Sequence, residues 1–136
     1  MKATATYTPT KWDEKPYDQS SPPKRMTKAS VEYTFIGQFE GQGQTEYVMF
    51  YKEYDEKDPH KSTAVYIGLT RMKGTLNGKS GSFVMEDHGT FEGGIAKSEL
   101  TIIPGSGTER LIGITGSGKG SATQKGAQLN LNYKLK

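Results

Sequence analysis

The chain contains no cysteine, and this absence excludes several kinds of chemistry. Disulfide bonds, thiol nucleophiles and thiolate metal sites all need cysteine, so the sequence supports none of them. Histidine is scarce too, with only His60 and His88 among 136 residues. A metal site needs three or four ligands held close together, and the sequence pattern offers no such set. We therefore expect neither a metal nor a cofactor.

Long apolar runs are also absent, and the net charge is small. No segment has the length needed to cross a bilayer, and residues 1–7 lack the apolar stretch of a signal peptide. We therefore expect a cytoplasmic protein with no membrane partner.

The 18 basic and 15 acidic side chains give a net charge of +3, and this excess is too small to indicate a nucleic-acid partner. The basic cluster Lys24, Arg25 and Lys28 has no aromatic residues spaced for base stacking, so we expect no nucleic-acid partner.

Apolar residues make up only 32% of the chain, but they recur at every second position. Leu129, Leu131 and Tyr133 alternate with polar residues, and residues 29–35 show the same period. This period is typical of a strand with one buried and one wet face, and such strands need few apolar residues. The low apolar content therefore fits an all-β domain.

Turn signals divide the alternating segments into about eight strands. Asn77-Gly78 is the strongest of them, because both positions of a tight hairpin turn need positive φ, and Gly93-Gly94 and Lys125-Gly126 mark two more hairpins. The first strand is predicted at residues 3–12, polar loops at 17–24 and 55–61, and a brief helical turn at 109–114. Many antiparallel strands must hide their edges, and closing into a ring does so. We predict one domain over residues 1–136, an eight-stranded antiparallel up-and-down barrel with short or no helix. A two-sheet sandwich is the alternative.

A glycine-rich segment, residues 113–120, matches most of the phosphate-binding loop pattern. Gly113, Gly118 and Lys119 fit, but Gly120 stands where a serine or threonine must bind magnesium. That loop also requires a following helix, whereas residues 121–136 alternate like a strand. We therefore predict a glycine-rich turn between strands rather than a nucleotide site.

Two neighbouring strands carry bulky apolar residues on both faces. Tyr47 and Met49 alternate with Val48 and Phe50, and residues 65–72 are similar. A partner subunit is the simplest cover for the outer face, so we expect a homo-oligomer; the alternative is that the predicted loop at 17–24 folds over it.

The interior of an eight-stranded barrel holds packed side chains or one small ligand. Carboxylates and a histidine cluster only at residues 86–88, where Glu86 and His88 share one face and Asp87 takes the other. The simpler interpretation is that these are polar residues near a hairpin; the alternative is an acid–base role for Glu86 or His88.

Glu46 and Arg71 either form an inward-facing ion pair or, equally, are two solvated charges. Trp12 is expected to plug a barrel end. The candidate ligand-binding residues are Trp12, Tyr33, Glu46, Tyr66, Arg71, Phe83, Glu86 and His88.

Several segments, taken in order, resemble a bacterial family of domains of unknown function. They cover nearly the whole chain and comprise residues 12–17, 37–41, 46–49, 74–83, 89–94 and 104–109, with Leu111 and Gly113. That family is similar to the plant allene oxide cyclases, which are eight-stranded barrels with an apolar cavity, found as oligomers. The segment most like theirs is 89–93. The resemblance implies an allene-oxide-cyclase-like barrel and an oligomer. It implies no activity, because the plant active-site residues do not match this chain one by one.

Three functions remain open at this stage. The first is the binding of a small, mainly apolar ligand in the barrel interior, with aromatic residues giving contact and a few polar groups fixing orientation. The second is an isomerase or cyclase that works by confinement, with Glu86 or Glu46 as acid or base. The third is a structural or interaction oligomer with a filled core.

Overall fold

Eight antiparallel strands close into a ring in the computed structural model, which describes residues 1–135. Each strand pairs with its neighbours in sequence, and the first strand also pairs with the last. The predicted all-β barrel is thereby confirmed. The strands are β1 (Lys2–Ser21), β2 (Lys24–Gly37), β3 (Phe39–Glu53), β4 (Thr63–Leu76), β5 (Lys79–Glu92), β6 (Ile95–Ile102), β7 (Thr115–Thr123) and β8 (Gly126–Lys134).

Helix is confined to two short 3₁₀ turns within the described part of the chain. One covers Pro59–Lys61 in the β3–β4 connection, and the other covers Glu109–Leu111 in the β6–β7 connection. The second confirms the helical turn predicted at residues 109–114. In residues 1–135 no helix has the length and apolar character to cross a membrane.

The predicted tight turns join the strands where the sequence indicates. Asn77 and Gly78 have φ of 46° and 85°, and Gly93 and Gly94 have φ of 60° and 78°. Positive φ at both central positions matches the right-handed twist of the flanking strands, so these turns close the hairpins β4–β5 and β5–β6 without splaying them.

The prediction of a loop at residues 17–24 is wrong. β1 continues past Trp12 to Ser21, and Ser21 pairs with Lys24 across a turn at Pro22 and Pro23. This part of β1 pairs only with β2 and is almost entirely exposed, so it lacks the apolar alternation that marks a half-buried strand. Because these residues form a ribbon beyond the ring, they do not cover the outer face of β3 and β4.

The segment resembling a phosphate loop also differs from its predicted turn. Most of it belongs to β7, and a further strand, not a helix, follows. Lys119 points outward, with its Nζ 3.9 Å from Glu99 Oε1, so it does not face a phosphate-sized pocket. The glycines of β7 have another role, which is to leave space inside the ring.

The two ends of the barrel differ in packing. The end that holds the β4–β5 turn is filled by Phe39, Met72, Phe83, Leu111 and Ile114, each fully buried. Leu111 comes from the Glu109–Leu111 turn, which therefore acts as a lid over this closed end. At the opposite end, where β1–β2, β3–β4, β5–β6 and β7–β8 turn, the Pro59–Lys61 turn has no buried residue, and the described residues leave the interior open.

Candidate functional site

The open end of the barrel leads into a cavity of about 730 Å³. All eight strands or their connections contribute to its wall, and most of the lining is apolar or aromatic. The principal lining residues are Tyr7, Trp12, Glu14, Tyr33, Tyr47, Met49, Tyr51, His60, Tyr66, Phe91, Ala96, Ser98, Ala122 and Ala127.

The cavity exists because the two walls differ in side-chain size. β1 to β4 supply tyrosines, whereas β6 to β8 supply small residues; Ala122 pairs with both Ala96 and Ala127 across the sheet. At Gly120, a Cβ atom would lie 3.1 Å from the Tyr7 hydroxyl, so a larger side chain there would press on that ring. Small residues on one wall thus make room for the tyrosines and for the open space between them.

A chain of buried hydroxyl groups leads to one carboxyl group at the inner end. The hydroxyls of Tyr33 and Tyr47 are 3.0 Å apart, and the Tyr47 hydroxyl donates to Asp87 Oδ2 at 3.1 Å. Beside them, Tyr66 and Ser98 share a hydrogen bond of 2.6 Å. Asp87 is only 6% exposed, and its Oδ1 has no hydrogen-bond partner among residues 1–135.

Burial shifts the pKa values of these groups in the direction that favours their neutral forms. Removal from water raises the pKa of Asp87 above its ordinary 3.8, and the nearby hydroxyls of Tyr47 and Ser98 offset this rise only in part. Burial likewise raises the pKa of Tyr66 to about 12, and it raises the pKa values of Tyr33 and Tyr47 further. The tyrosines therefore keep their protons at neutral pH and can act as hydrogen-bond donors.

A second polar group lies at the mouth. Glu14 accepts hydrogen bonds from Trp12 Nε1 at 3.0 Å, from Thr27 Oγ1 at 2.8 Å and from the Tyr51 hydroxyl. The Trp12 ring is half exposed and stacks on Tyr47, with ring centroids 6.4 Å apart. Trp12 therefore stands at the open mouth and does not plug the closed end.

The residues predicted from sequence divide into two groups. Tyr33 and Tyr66 line the cavity, Trp12 lies at its mouth, and Phe83 is buried in the closed end. The remaining four, Glu46, Arg71, Glu86 and His88, lie on the outer face, which corrects the prediction that they line the interior.

The correction follows from strand alternation, because each outward residue has inward neighbours. Thr45 and Tyr47 are buried, so Glu46 between them points to solvent, where it accepts hydrogen bonds from Ser30 and Gln44. Arg71 forms no ion pair with Glu46 or with any other residue in 1–135, since β4 places Leu69 opposite Glu46.

On β5 the same alternation sends Glu86 and His88 outward, with His88 Nδ1 4.0 Å from Glu86 Oε1. The cyclase hypothesis thus loses both carboxylates on which it was based. The inward carboxylate is Asp87, which follows Phe83 and Met85 on the same face. Two apolar residues at the preceding alternate positions were the sequence signal for its direction.

Metal binding finds no support in the geometry. Across residues 1–135, no three histidine, aspartate or glutamate side chains are grouped closely enough to hold a metal ion.

Comparison with known proteins gives a family and a fold. The model of DUF3224, described as a protein of unknown function, matches residues 3–135. The fold is similar to a crystal structure of a DUF3224 family protein of unknown function from Shewanella oneidensis MR-1, with a TM-score of 0.75 and 20% identity. The alignment covers 100% of this chain and 97% of that one. No curated protein matches.

Proposed function

This chain belongs to the DUF3224 family, and we propose that it binds a small, mainly apolar molecule in the open cavity of its barrel. The observation that carries the proposal is the contrast between the two ends of one barrel. A barrel with a purely structural role gains stability by filling its interior, as the closed end does. The open end instead leaves about 730 Å³ unfilled, lined by aromatic rings.

The size and lining of the cavity support a ligand of modest size. Sites for small molecules commonly enclose about 300 to 1,000 Å³ and combine apolar walls with a few placed polar groups. Here Tyr47, Met49 and Phe91 offer apolar surface, while Glu14 and Ser98 offer hydrogen bonding at the mouth and deeper inside. Among residues 1–135, Lys125 at the rim is the only lysine or arginine in the wall, so a neutral molecule fits the cavity better than an anion.

The experiment is a titration with the apolar fluorescent probe N-phenyl-1-naphthylamine, whose emission rises when it leaves water. Native mass spectrometry of the purified protein, before and after mild denaturation, accompanies it to detect a co-purified small molecule. We expect saturable probe binding by the wild-type protein. Absence of any binding would refute the proposal.

Two matched variants locate the bound probe. Ala122→Phe places a ring in the cavity, whereas Ser121→Phe adds the same ring at the exposed neighbouring position of β7. We expect Ala122→Phe to weaken probe binding by about tenfold or more, because the ring fills space that the probe needs. Ser121→Phe should bind like the wild type. Equal weakening by both variants would place the probe outside the barrel.

A second function, self-association, is favoured by the outer face of β3 and β4. Val48, Ile67 and Leu69 are 39%, 53% and 51% exposed on this face, and Val48 pairs with Ile67 across the two strands. Arg71 lies at one end of the apolar patch, and Glu46 lies beside it. A second copy related by a two-fold axis can cover the patch while its arginine meets this carboxylate.

Light scattering after size exclusion tests this second function. We expect the wild-type protein to have twice the monomer mass and Ile67→Lys to have the monomer mass. Ile36→Lys is the control, because Ile36 is 63% exposed but lies outside the patch. A monomeric wild-type protein would refute self-association.

A further inference from the structure

The inner end of the cavity contains a feature that general apolar binding does not explain. Asp87 lines a small chamber of about 30 Å³, which shares Tyr7, Tyr33, Tyr47 and Ser98 with the wall of the large cavity. A chamber of this size holds one or two water-sized groups. The chamber therefore adjoins the inner end of the cavity at these four side chains and accepts a single polar atom with little else.

The hydrogen bonds around the chamber distinguish the two carboxyl oxygens of Asp87. Tyr47 has one hydroxyl proton and donates it to Asp87 Oδ2, so the Tyr33 hydroxyl must donate to Tyr47. Oδ2 is thus occupied as an acceptor, and among the described residues no lysine, arginine or histidine lines the chamber to balance a negative charge on this buried carboxyl. A protonated Asp87 in this arrangement carries its proton on Oδ1. Oδ1 is buried and has no partner in residues 1–135, and an unpaired buried donor is costly.

We propose that Asp87 Oδ1 is the hydrogen-bond donor for a carbonyl oxygen at one end of the bound molecule, whose apolar body fills the large cavity. This inference rests on the proposed ligand-binding function and narrows the ligand to neutral compounds such as ketones, aldehydes or esters. A carboxylate end is disfavoured, because the described part of the chain contributes no lysine, arginine or histidine to the chamber wall. A ligand without an oxygen acceptor would leave Oδ1 unpaired.

The test compares two compounds of nearly equal shape, 2-acetylnaphthalene and 2-ethylnaphthalene, which differ by the carbonyl oxygen. Each is titrated against wild-type protein loaded with N-phenyl-1-naphthylamine, and probe displacement gives the affinity. We compare the acetyl-to-ethyl affinity ratio between variants, so that the different hydration of the two compounds cancels.

Two substitutions at one position separate hydrogen bonding from shape. In Asp87→Leu the donor is lost, and we expect the affinity ratio to fall about 5- to 10-fold, the worth of one buried hydrogen bond. In Asp87→Asn the amide oxygen can accept from Tyr47 and the amide nitrogen can take the place of Oδ1. We therefore expect Asp87→Asn to keep the wild-type ratio within about threefold.

The outcomes distinguish the subsite from the cavity itself. If the probe does not bind the wild-type protein, the proposed function fails and the subsite fails with it. If both compounds displace the probe but the ratio is the same in wild type and Asp87→Leu, only the subsite is overturned. Urea unfolding of each variant checks that it is folded. If Asp87→Leu does not fold, Asp87→Ala takes its place: a fall of about 5- to 10-fold in the ratio supports the donor, and an unchanged ratio overturns it.

Discussion

Tyr47 holds the interior hydrogen-bond chain together, and removing its hydroxyl should cost more stability than removing any neighbouring hydroxyl. The group lies between the Tyr33 hydroxyl at 3.0 Å and Asp87 Oδ2 at 3.1 Å, and Tyr47 is only 8% exposed. In Tyr47→Phe two hydrogen bonds disappear and a buried carboxyl oxygen loses its donor. With about 1 kcal/mol for each bond and a further penalty for the unpaired oxygen, we expect a loss of about 2 to 4 kcal/mol.

Neighbouring tyrosines supply the controls. Tyr33→Phe removes a single bond and leaves Tyr47 donating to Asp87, so it should cost about 0.5 to 1.5 kcal/mol. Tyr17→Phe should cost about 0.5 kcal/mol or less, because Tyr17 is 51% exposed and its hydroxyl lies 3.6 Å from Met26 Sδ. The Tyr33→Phe/Tyr47→Phe double variant should cost less than the sum, since both single variants remove the same bond.

Urea unfolding, followed by circular dichroism, measures these free energies from the midpoint and slope. The slope should stay constant across the variants, because none of them changes the surface exposed on unfolding. A Tyr47→Phe protein as stable as Tyr17→Phe would refute the reasoning. So would strict additivity in the double variant, because it would mean that the two hydroxyls act independently.

Three further predictions concern the interior. Because burial raises the pKa of Asp87 above 3.8, the native protein keeps a proton that the unfolded chain releases; stability should therefore fall as pH rises from 3.8 through the native value. Urea midpoints across pH should show this decline in the wild type and a flatter profile in Asp87→Asn; equal profiles would contradict it. Phe83→Ala, at the fully buried closed end, should lower the unfolding free energy by about 3 to 5 kcal/mol, and a loss below 1 kcal/mol would show that this end is loosely packed. Gly89→Ala should cost about 1 to 3 kcal/mol by the same assay, because its Cβ would overlap the Lys97 carbonyl and lie 2.6 Å from the Tyr66 hydroxyl; unchanged stability would mean that the strands shift freely there.

Local sequence features were sufficient to predict the strands and the ring. Alternation along residues 129–133 and the Asn77-Gly78 turn are short-range signals, and each depends only on backbone geometry and on one buried face. The ribbon at the end of β1 was missed because its residues are exposed on both faces, so no alternation marks it.

The site was harder to predict, because alternation gives two faces without saying which is inside. Tyr47 and Glu46 were assigned correctly to opposite faces, yet the charged residue was included among the interior candidates. Asp87 was placed opposite Glu86, but its buried position became clear only when Phe83 and Met85 were seen to point inward. The chamber itself depends on β5, β6 and β7 meeting across the ring, and such distances cannot be read from sequence spacing.

The closure between β1 and β8 has a consequence for the kinetics of folding. Every other neighbouring pair of strands is consecutive in the chain, whereas Ala5 pairs with Leu129. The pairing of β1 with β8 extends only over Lys2–Tyr7 of β1, so few hydrogen bonds stabilise the contact between the two strands that are farthest apart in sequence. Loop-closure entropy makes such a contact slow to form unless the intervening strands have already assembled. We therefore expect the curved sheet to form strand by strand and the ring, with the cavity inside it, to be completed in the last step.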